Sequence, residues 1–308
     1  MEAFATPLLV LVGAMLALQA AANVQLSAAM ASPFGASTLQ LGIGTGVLLG
    51  AATLAGSLGA FDLLDEAEPW ALAGGLGSAV YITAGILLFP RLGALVAVGL
   101  FIAGQMAASL ALDGLGWLGV SRDVPGVAAL AGAAAVAAGA WLIVRAQAGA
   151  GVLHETVGLR TGWIVLGLVA GAVLPVQGAI NAELNAELDA AVAVGAFSFL
   201  VATVVMALAL GSILAAGAPR PRVEPLRGVP WWGWLGGLCG ATYVTSVFLL
   251  IPEIGAAPVV VLTVGGQQLA SVAVDRYGLL RLPRRTISRH RLAGVAVLLA
   301  GVALITLG

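Results

Sequence analysis

Apolar residues dominate this chain in long stretches that are separated by short polar or proline-marked breaks. A helix needs about 20 apolar residues to cross the roughly 30 Å hydrocarbon layer of a bilayer. Stretches of this length follow one another from end to end. We therefore predict ten transmembrane helices, at residues 7–28, 35–58, 70–89, 93–112, 125–145, 161–183, 191–216, 231–251, 256–274 and 291–307.

The second half of the chain repeats the first. A shift of 158 residues brings the start of one half onto the other, and a shift of 162 aligns the later part. Alanine and glycine are too frequent here to carry this argument, but rarer residues also fall in register. The matching pairs include Gln19/Gln177, Asn23/Asn181, Tyr81/Tyr243, Gln105/Gln267 and Asp113/Asp275. The pattern predicts two related units, residues 1–147 and 161–308, joined by a linker at 148–160.

The two units are predicted to lie in opposite orientations. Each holds five helices, and an odd number makes tandem copies enter the membrane from opposite sides. Arginine favours cytoplasmic loops, and an outside N-terminus leaves only Arg122 of the 13 basic residues in an outside loop. We therefore expect both termini outside and the 148–160 linker in the cytoplasm.

Composition supports a bilayer as the solvent of this protein. The 308 residues are 61% hydrophobic and 9% charged, whereas an average soluble domain carries about 25% charged residues. Zinc-ligand spacings, phosphate-binding loops, nucleophile triads and dinucleotide fingerprints are absent from the sequence. We therefore predict an all-α integral membrane protein of a bacterial-type inner membrane, which is not an enzyme and has no cofactor, metal site or nucleic-acid partner.

Repeated amides in the first and sixth helices are the strongest candidates for a binding site. Gln19 and Asn23 lie one helical turn apart near the middle of their span, and Gln177 and Asn181 repeat them. A primary amide buried in hydrocarbon without a partner costs several kcal/mol. Two interpretations stay open: the amides line a central cavity, or they hydrogen-bond between helices, where such bonds contribute about 0.6 to 2 kcal/mol.

Further polar residues repeat in later helices. Gln105 and Gln267 each follow a glycine, and Tyr81 and Tyr243 add hydroxyl groups. The glutamines are predicted either to line the same cavity or to pack between helices. The tyrosines are predicted either to line its wall or to lie at the membrane interface.

Acidic residues offer one candidate for ion coupling. No ionisable side chain stands in the middle of any predicted span, but Glu183 follows Asn181 at the position that Gln25 occupies in the first half. Glu183 is interpreted either as a proton or cation site or as part of a solvated helix end.

Several segments resemble a known family. They are GAMLALQAAANVQL at Gly13–Leu26, GAVLPVQGAINAEL at Gly171–Leu184, PWWGWLGGLCGATYV at Pro230–Val244 and GQQLASVAVDRYGLL at Gly266–Leu280. They resemble the YdcZ-like family of the drug/metabolite transporter superfamily. The resemblance implies five-helix units, here fused as two inverted copies, and a role as an inner-membrane exporter.

We therefore expect a secondary transporter, an exporter or facilitator, of a small polar or amphipathic organic solute. Inverted repeats can exchange conformations, so that a central site opens to each side of the membrane in turn. The expected partners are the solute, a coupling proton or cation, and the lipid bilayer. The chain is expected to act as a monomer or homodimer. The alternative is a membrane scaffold or accessory subunit that does not transport.

Overall fold

A computed structural model describes residues 2–120, 122, 124–148, 157–254 and 256–307. Ten α-helices account for most of this part of the chain, and it contains no strand. Their bounds are α1 Glu2–Met30, α2 Pro33–Leu54, α3 Gly75–Leu92, α4 Ala94–Leu115, α5 Val127–Ala148, α6 Val157–Leu188, α7 Ala191–Ala215, α8 Gly236–Ile254, α9 Ala256–Tyr277 and α10 Arg289–Leu307. Each predicted span overlaps one of these helices. Much of the predicted linker lies outside the described residues.

Seven helical segments within the described residues are long and apolar enough to cross a membrane. The predicted bounds fail where α3 and α8 begin. Short 3₁₀ helices at Ala71–Ala73 and Trp231–Trp234 stand where the apolar pattern predicted α-helix. The apolar pattern measures the length of the hydrophobic stretch and does not distinguish a 3₁₀ turn from an α-helical one.

Glycines allow two helix pairs to approach closely. A Cβ atom at Gly13 of α1 would collide with the Thr263 carbonyl of α9, and one at Gly266 with the Val10 carbonyl. The equivalent α4–α6 pair behaves alike, since Gly104 faces the Leu168 carbonyl. Both pairs run parallel. Gln25 near the end of α1 donates a hydrogen bond to the Leu280 carbonyl just beyond α9. Glu183 near the end of α6 contacts Gly119 just beyond α4. Small residues at such crossings bring helix backbones into contact, which favours association in lipid.

Two further pairs join equivalent helices of the two halves. In the α2–α7 pair, the Thr45 and Thr203 hydroxyls are 2.9 Å apart, and these threonines are equivalent in the repeat. In the α5–α10 pair, Gly132 lies against Gly301 and Gly139 against Gly294. Each pair runs antiparallel, because the residue numbers of successive contacts increase along one helix and decrease along the other.

A buried ion pair joins the end of α9 to the start of α4. The Asp275 carboxylate accepts hydrogen bonds from the backbone amides of Ala94, at 2.8 Å, and Leu95, at 3.2 Å. It also pairs with the Arg291 guanidinium at 3.2 Å. An anion at a helix N-terminus satisfies amide groups that have no partner within the helix. Asp275 therefore caps α4 and fixes it against α9 and α10.

Candidate functional site

The amides of α1 and α6 lie in the interior of the helix bundle. Gln19 is 3% exposed and Asn23 is fully buried, while Gln177 and Asn181 are 5% and 2% exposed. Small residues surround them, including Ala20 and Gly178, so that neighbouring helices can approach the amide side chains. None of the four lies on the outer surface of the helix bundle.

A cavity of about 210 Å³ lies among α1, α3, α4, α6, α7, α8 and α9. For comparison, a cavity of about 150 Å³ in another protein admits benzene. Six of the eight residues predicted for substrate binding line it together: Gln19, Tyr81, Gln105, Gln177, Asn181 and Tyr243. The structure therefore brings residues from both halves into one space. Their role in binding a substrate stays a prediction.

The other two predicted residues are buried away from the cavity. Asn23 lies one turn beyond Gln19, with its side-chain oxygen against Gly236. Gln267 is 1% exposed and Gln268 is fully buried, and neither lines the cavity. Gln105 of α4 therefore lines the cavity, whereas Gln267, the equivalent residue of α9, does not.

Serine side chains hold both amides of α6. The Ser78 hydroxyl accepts a hydrogen bond from Gln177 Nε2 at 2.8 Å and lies 3.1 Å from Gln177 Oε1. Asn181 Nδ2 donates to the Ser198 hydroxyl at 3.1 Å. A buried amide is stable only when its polar atoms have partners, and these bonds fix both side chains in one position.

The equivalent amides of α1 have no such partners. The repeat places Gly240 where Ser78 stands, so a hydroxyl is missing beside Gln19. Gln40 stands where Ser198 does, but its amide is engaged with the Gly233 carbonyl at 3.1 Å and with the Gly237 amide. Among the described residues, neither Gln19 nor Asn23 has a side-chain hydrogen-bond partner.

The rest of the cavity wall is mostly apolar. Tyr81 packs against Phe101 with ring centroids 4.9 Å apart, and its ring lies on the cavity surface with Phe199 and Tyr243. No charged side chain of the described residues lines the cavity. The site can therefore accept an apolar body and offers hydrogen bonds from amides and hydroxyls at a few points.

Glu183, the residue predicted for ion coupling, lies outside the cavity lining. Its carboxylate contacts the backbone of Gly119 in the α4–α5 loop, and the side chain is half-buried. The coupling role of Glu183 stays a prediction.

Sequence reasoning did not select several other residues that line the cavity, among them Ser78, Ser109, Phe199 and Gly240. Ser109 has a signal in the sequence, because Ser271 repeats it. Ser78, Phe199 and Gly240 differ from their partners in the other half, so a search for repeated residues passes over them.

Comparisons with known proteins bear on this arrangement. A family described as "Putative inner membrane exporter, YdcZ", of the drug/metabolite transporter superfamily, matches residues 4–142 and again 162–304. The chain belongs to this YdcZ family. The double match confirms the two-copy resemblance. The family is a class of membrane transporters rather than enzymes, and this member is a multi-pass protein of the inner membrane.

Solved structures support the fold alone. One chain, described as "Crystal structure of protein", superposes with a TM-score of 0.58 at 18% sequence identity. The match covers 97% of this chain and 96% of that one. No curated protein sequence matches this YdcZ-family chain.

Proposed function

We propose that this YdcZ-family protein is a secondary transporter that carries a small polar or amphipathic organic solute by alternating access. In this proposal ten helices span the membrane as two inverted five-helix repeats, and both termini lie outside. The solute binds in the central cavity.

The packing of equivalent helices supports the inverted arrangement. α2 and α7 are equivalent, as are α5 and α10, and the members of each pair run antiparallel in contact. Copies with the same orientation in the membrane would have parallel equivalent helices. The contacts are also reciprocal between halves, as in the pairs Gly13/Thr263 and Gly171/Phe101.

The observation that carries the proposal is the unequal use of α4 and α9 by the cavity. Gln105 and Ser109 of α4 line it, whereas their partners Gln267 and Ser271 are 1% and 0% exposed. If the two repeats exchange conformations, α9 opens when α4 closes, and the cavity then reaches the opposite face of the membrane. This exchange accounts for buried amide atoms of Gln267 and Gln268 that have no partner among the described residues.

The wall chemistry supports the substrate class. Amides both donate and accept hydrogen bonds, so they recognise polar groups without requiring one sign of charge. Aromatic and aliphatic side chains contribute the remaining surface, which suits an apolar portion of the solute.

Cysteine labelling tests alternating access without a known substrate. Ser109→Cys and Ser271→Cys are matched variants in a Cys239→Ala background, since Cys239 is the only cysteine of the chain. The probe is a membrane-impermeant charged maleimide, applied to right-side-out and inside-out membrane vesicles. We expect Ser109→Cys to react from the outside and Ser271→Cys from the cytoplasmic side.

The control is labelling after unfolding in detergent, where both variants should react fully. A Ser271→Cys variant that reacts only after unfolding would contradict alternating access and favour a membrane scaffold. Labelling of both variants from the same face would contradict the inverted arrangement.

A further inference from the structure

The two repeats carry different residues beside their central glutamines, and this difference determines whether the glutamine side chain has a hydrogen-bond partner. Gln177 and Gln19 occupy equivalent positions of α6 and α1, and both line the cavity. Ser78 of α3 holds Gln177 through its hydroxyl. Gly240 of α8 faces Gln19 in the same way but offers no side chain. A Cβ atom at Gly240 would lie 2.8 Å from Gln19 Nε2, so the Gln19 amide packs directly against Gly240 and would shift slightly to accommodate a serine side chain there.

A second, independent pair of contacts shows the same difference. Asn181 is bonded to Ser198, whereas Asn23 has no partner among the described residues for either polar atom of its amide. Both amides of α6 are therefore fixed, and both amides of α1 are unpartnered. A buried polar group without a partner is costly, so it persists where a bound molecule or a second conformation satisfies it.

We infer that α1 carries substrate recognition: Gln19 binds the polar group of the solute, and Gln177, held by Ser78, is a fixed part of the wall. This assignment rests on the proposed transport function. Gln105 also lines the cavity, and its buried amide nitrogen, which has no partner among the described residues, is the second candidate for a hydrogen bond to the solute.

The same observations define the class of ligand. A free carboxamide offers a donor and an acceptor side by side, which matches a carboxamide or hydroxyl group. Because no charged side chain of the described residues lines the cavity, an ionised ligand would lose its hydration without a counter-charge. The ligand is therefore a neutral molecule with one amide or hydroxyl group on an apolar body somewhat larger than benzene.

Equilibrium binding of radiolabelled benzamide to the purified full-length protein tests this inference. Benzoate, which has the same shape and a negative charge, is the comparison ligand. Gly240→Ser adds the missing hydroxyl beside Gln19. Gly240→Ala adds the same carbon without the hydroxyl and is the matched control. Ser78→Gly releases Gln177 instead.

We expect the wild type to bind benzamide and to bind benzoate at least about tenfold more weakly. The Gly240→Ser variant should bind benzamide about tenfold more weakly than Gly240→Ala, the change expected when one hydrogen bond to the ligand is lost. Ser78→Gly should bind benzamide no more weakly than the wild type, because Gln19 stays free and Gln177 becomes a second unpartnered amide in the same cavity.

Three results would overturn the inference: no benzamide binding to the wild type, equal affinities of Gly240→Ser and Gly240→Ala, or a loss in Ser78→Gly as large as in Gly240→Ser. Maleimide labelling of Ser109→Cys and Ser271→Cys separates this outcome from failure of the proposed function. If Ser109→Cys reacts from the outside and Ser271→Cys from the cytoplasmic side, any of these three binding results rejects the role of Gln19 and leaves the proposed transport function intact. If Ser271→Cys reacts only after unfolding, or if both variants react from the same face, the proposed transport function is rejected whatever the binding results.

Discussion

Helices α1 and α6 carry the same pair of amides at the same spacing, yet their side chains have different surroundings. In α6, Gln177 and Asn181 are bonded to Ser78 and Ser198. In α1, neither Gln19 nor Asn23 has a side-chain hydrogen-bond partner among the described residues. The amides are equally buried, so burial does not distinguish them. The residue on the facing helix decides whether a repeated amide is a structural bond or is free to bind a ligand.

Helices α4 and α9 show a second difference of the same kind. Their glycine contacts with α6 and α1 are equivalent, so the backbones pack alike. The cavity nevertheless reaches Gln105 and Ser109 and not Gln267 and Ser271. The two halves are therefore alike in how their helices pack and different in which residues line the cavity. Mutations at the helix crossings and at the cavity can test these two statements separately.

The largest effect is expected at the helix crossings, and it should be the same in both halves. Gly104→Ala and Gly266→Ala each place a Cβ atom against a backbone carbonyl of the neighbouring helix, which cannot move aside as a side chain can. Each should lower the free energy of unfolding by about 1–3 kcal/mol or more, measured by thermal unfolding of the purified protein.

Gly211→Ala is the matched control, because nothing lies within 4 Å of a Cβ atom built there. Alanine favours a helix over glycine by about 1 kcal/mol, so this variant should be no less stable than the wild type. Equal unfolding midpoints for Gly104→Ala and Gly211→Ala would show that the close crossing of α4 and α6 does not exist in the membrane.

An effect of opposite sign, no larger than that at the crossings, is expected at α9. The Gln268→Met variant receives the residue that the repeat has at Met106, and it removes two buried polar atoms that have no partner among the described residues. The free energy of unfolding should rise by about 1–3 kcal/mol. The same variant should reduce cytoplasmic labelling of Ser271→Cys, because the state in which α9 lines the cavity loses one of its polar wall residues while Gln267 remains. A fall in stability would mean that Gln268 has a partner in the membrane.

The smallest effect is expected where the two halves meet at equivalent residues. Thr45→Val and Thr203→Val each remove one hydroxyl of the α2–α7 contact. Each hydroxyl also lies within hydrogen-bonding distance of a carbonyl one turn earlier in its own helix, at 2.9 Å for Thr45 and 2.8 Å for Thr203. The bond between helices should therefore contribute only about 0.6 kcal/mol. A double-mutant cycle of unfolding free energies measures it, and strictly additive effects would indicate that the two threonines do not interact.

The sequence by itself determined the helices and the candidate residues. Each predicted span overlaps an observed helix, because hydrocarbon imposes a minimum apolar length and requires backbone bonds to close within the segment. Both requirements act within a single segment, so they can be recognised from the sequence of that segment alone. The in-register repeat selected Gln19, Gln105, Gln177 and Asn181, and all four line the cavity.

Only the tertiary structure decided which repeated residues share a space and which have partners. The cavity excludes Asn23 and Gln267, whose repeat partners line it. Ser78 meets Gln177 across 99 positions of sequence, and Gly240 faces Gln19 from a helix that begins more than 200 residues later. Such contacts depend on how helices cross, and residues distant in sequence determine the crossing. For this reason the repeat predicted the amides, and the packing distinguished the free ones from the fixed ones.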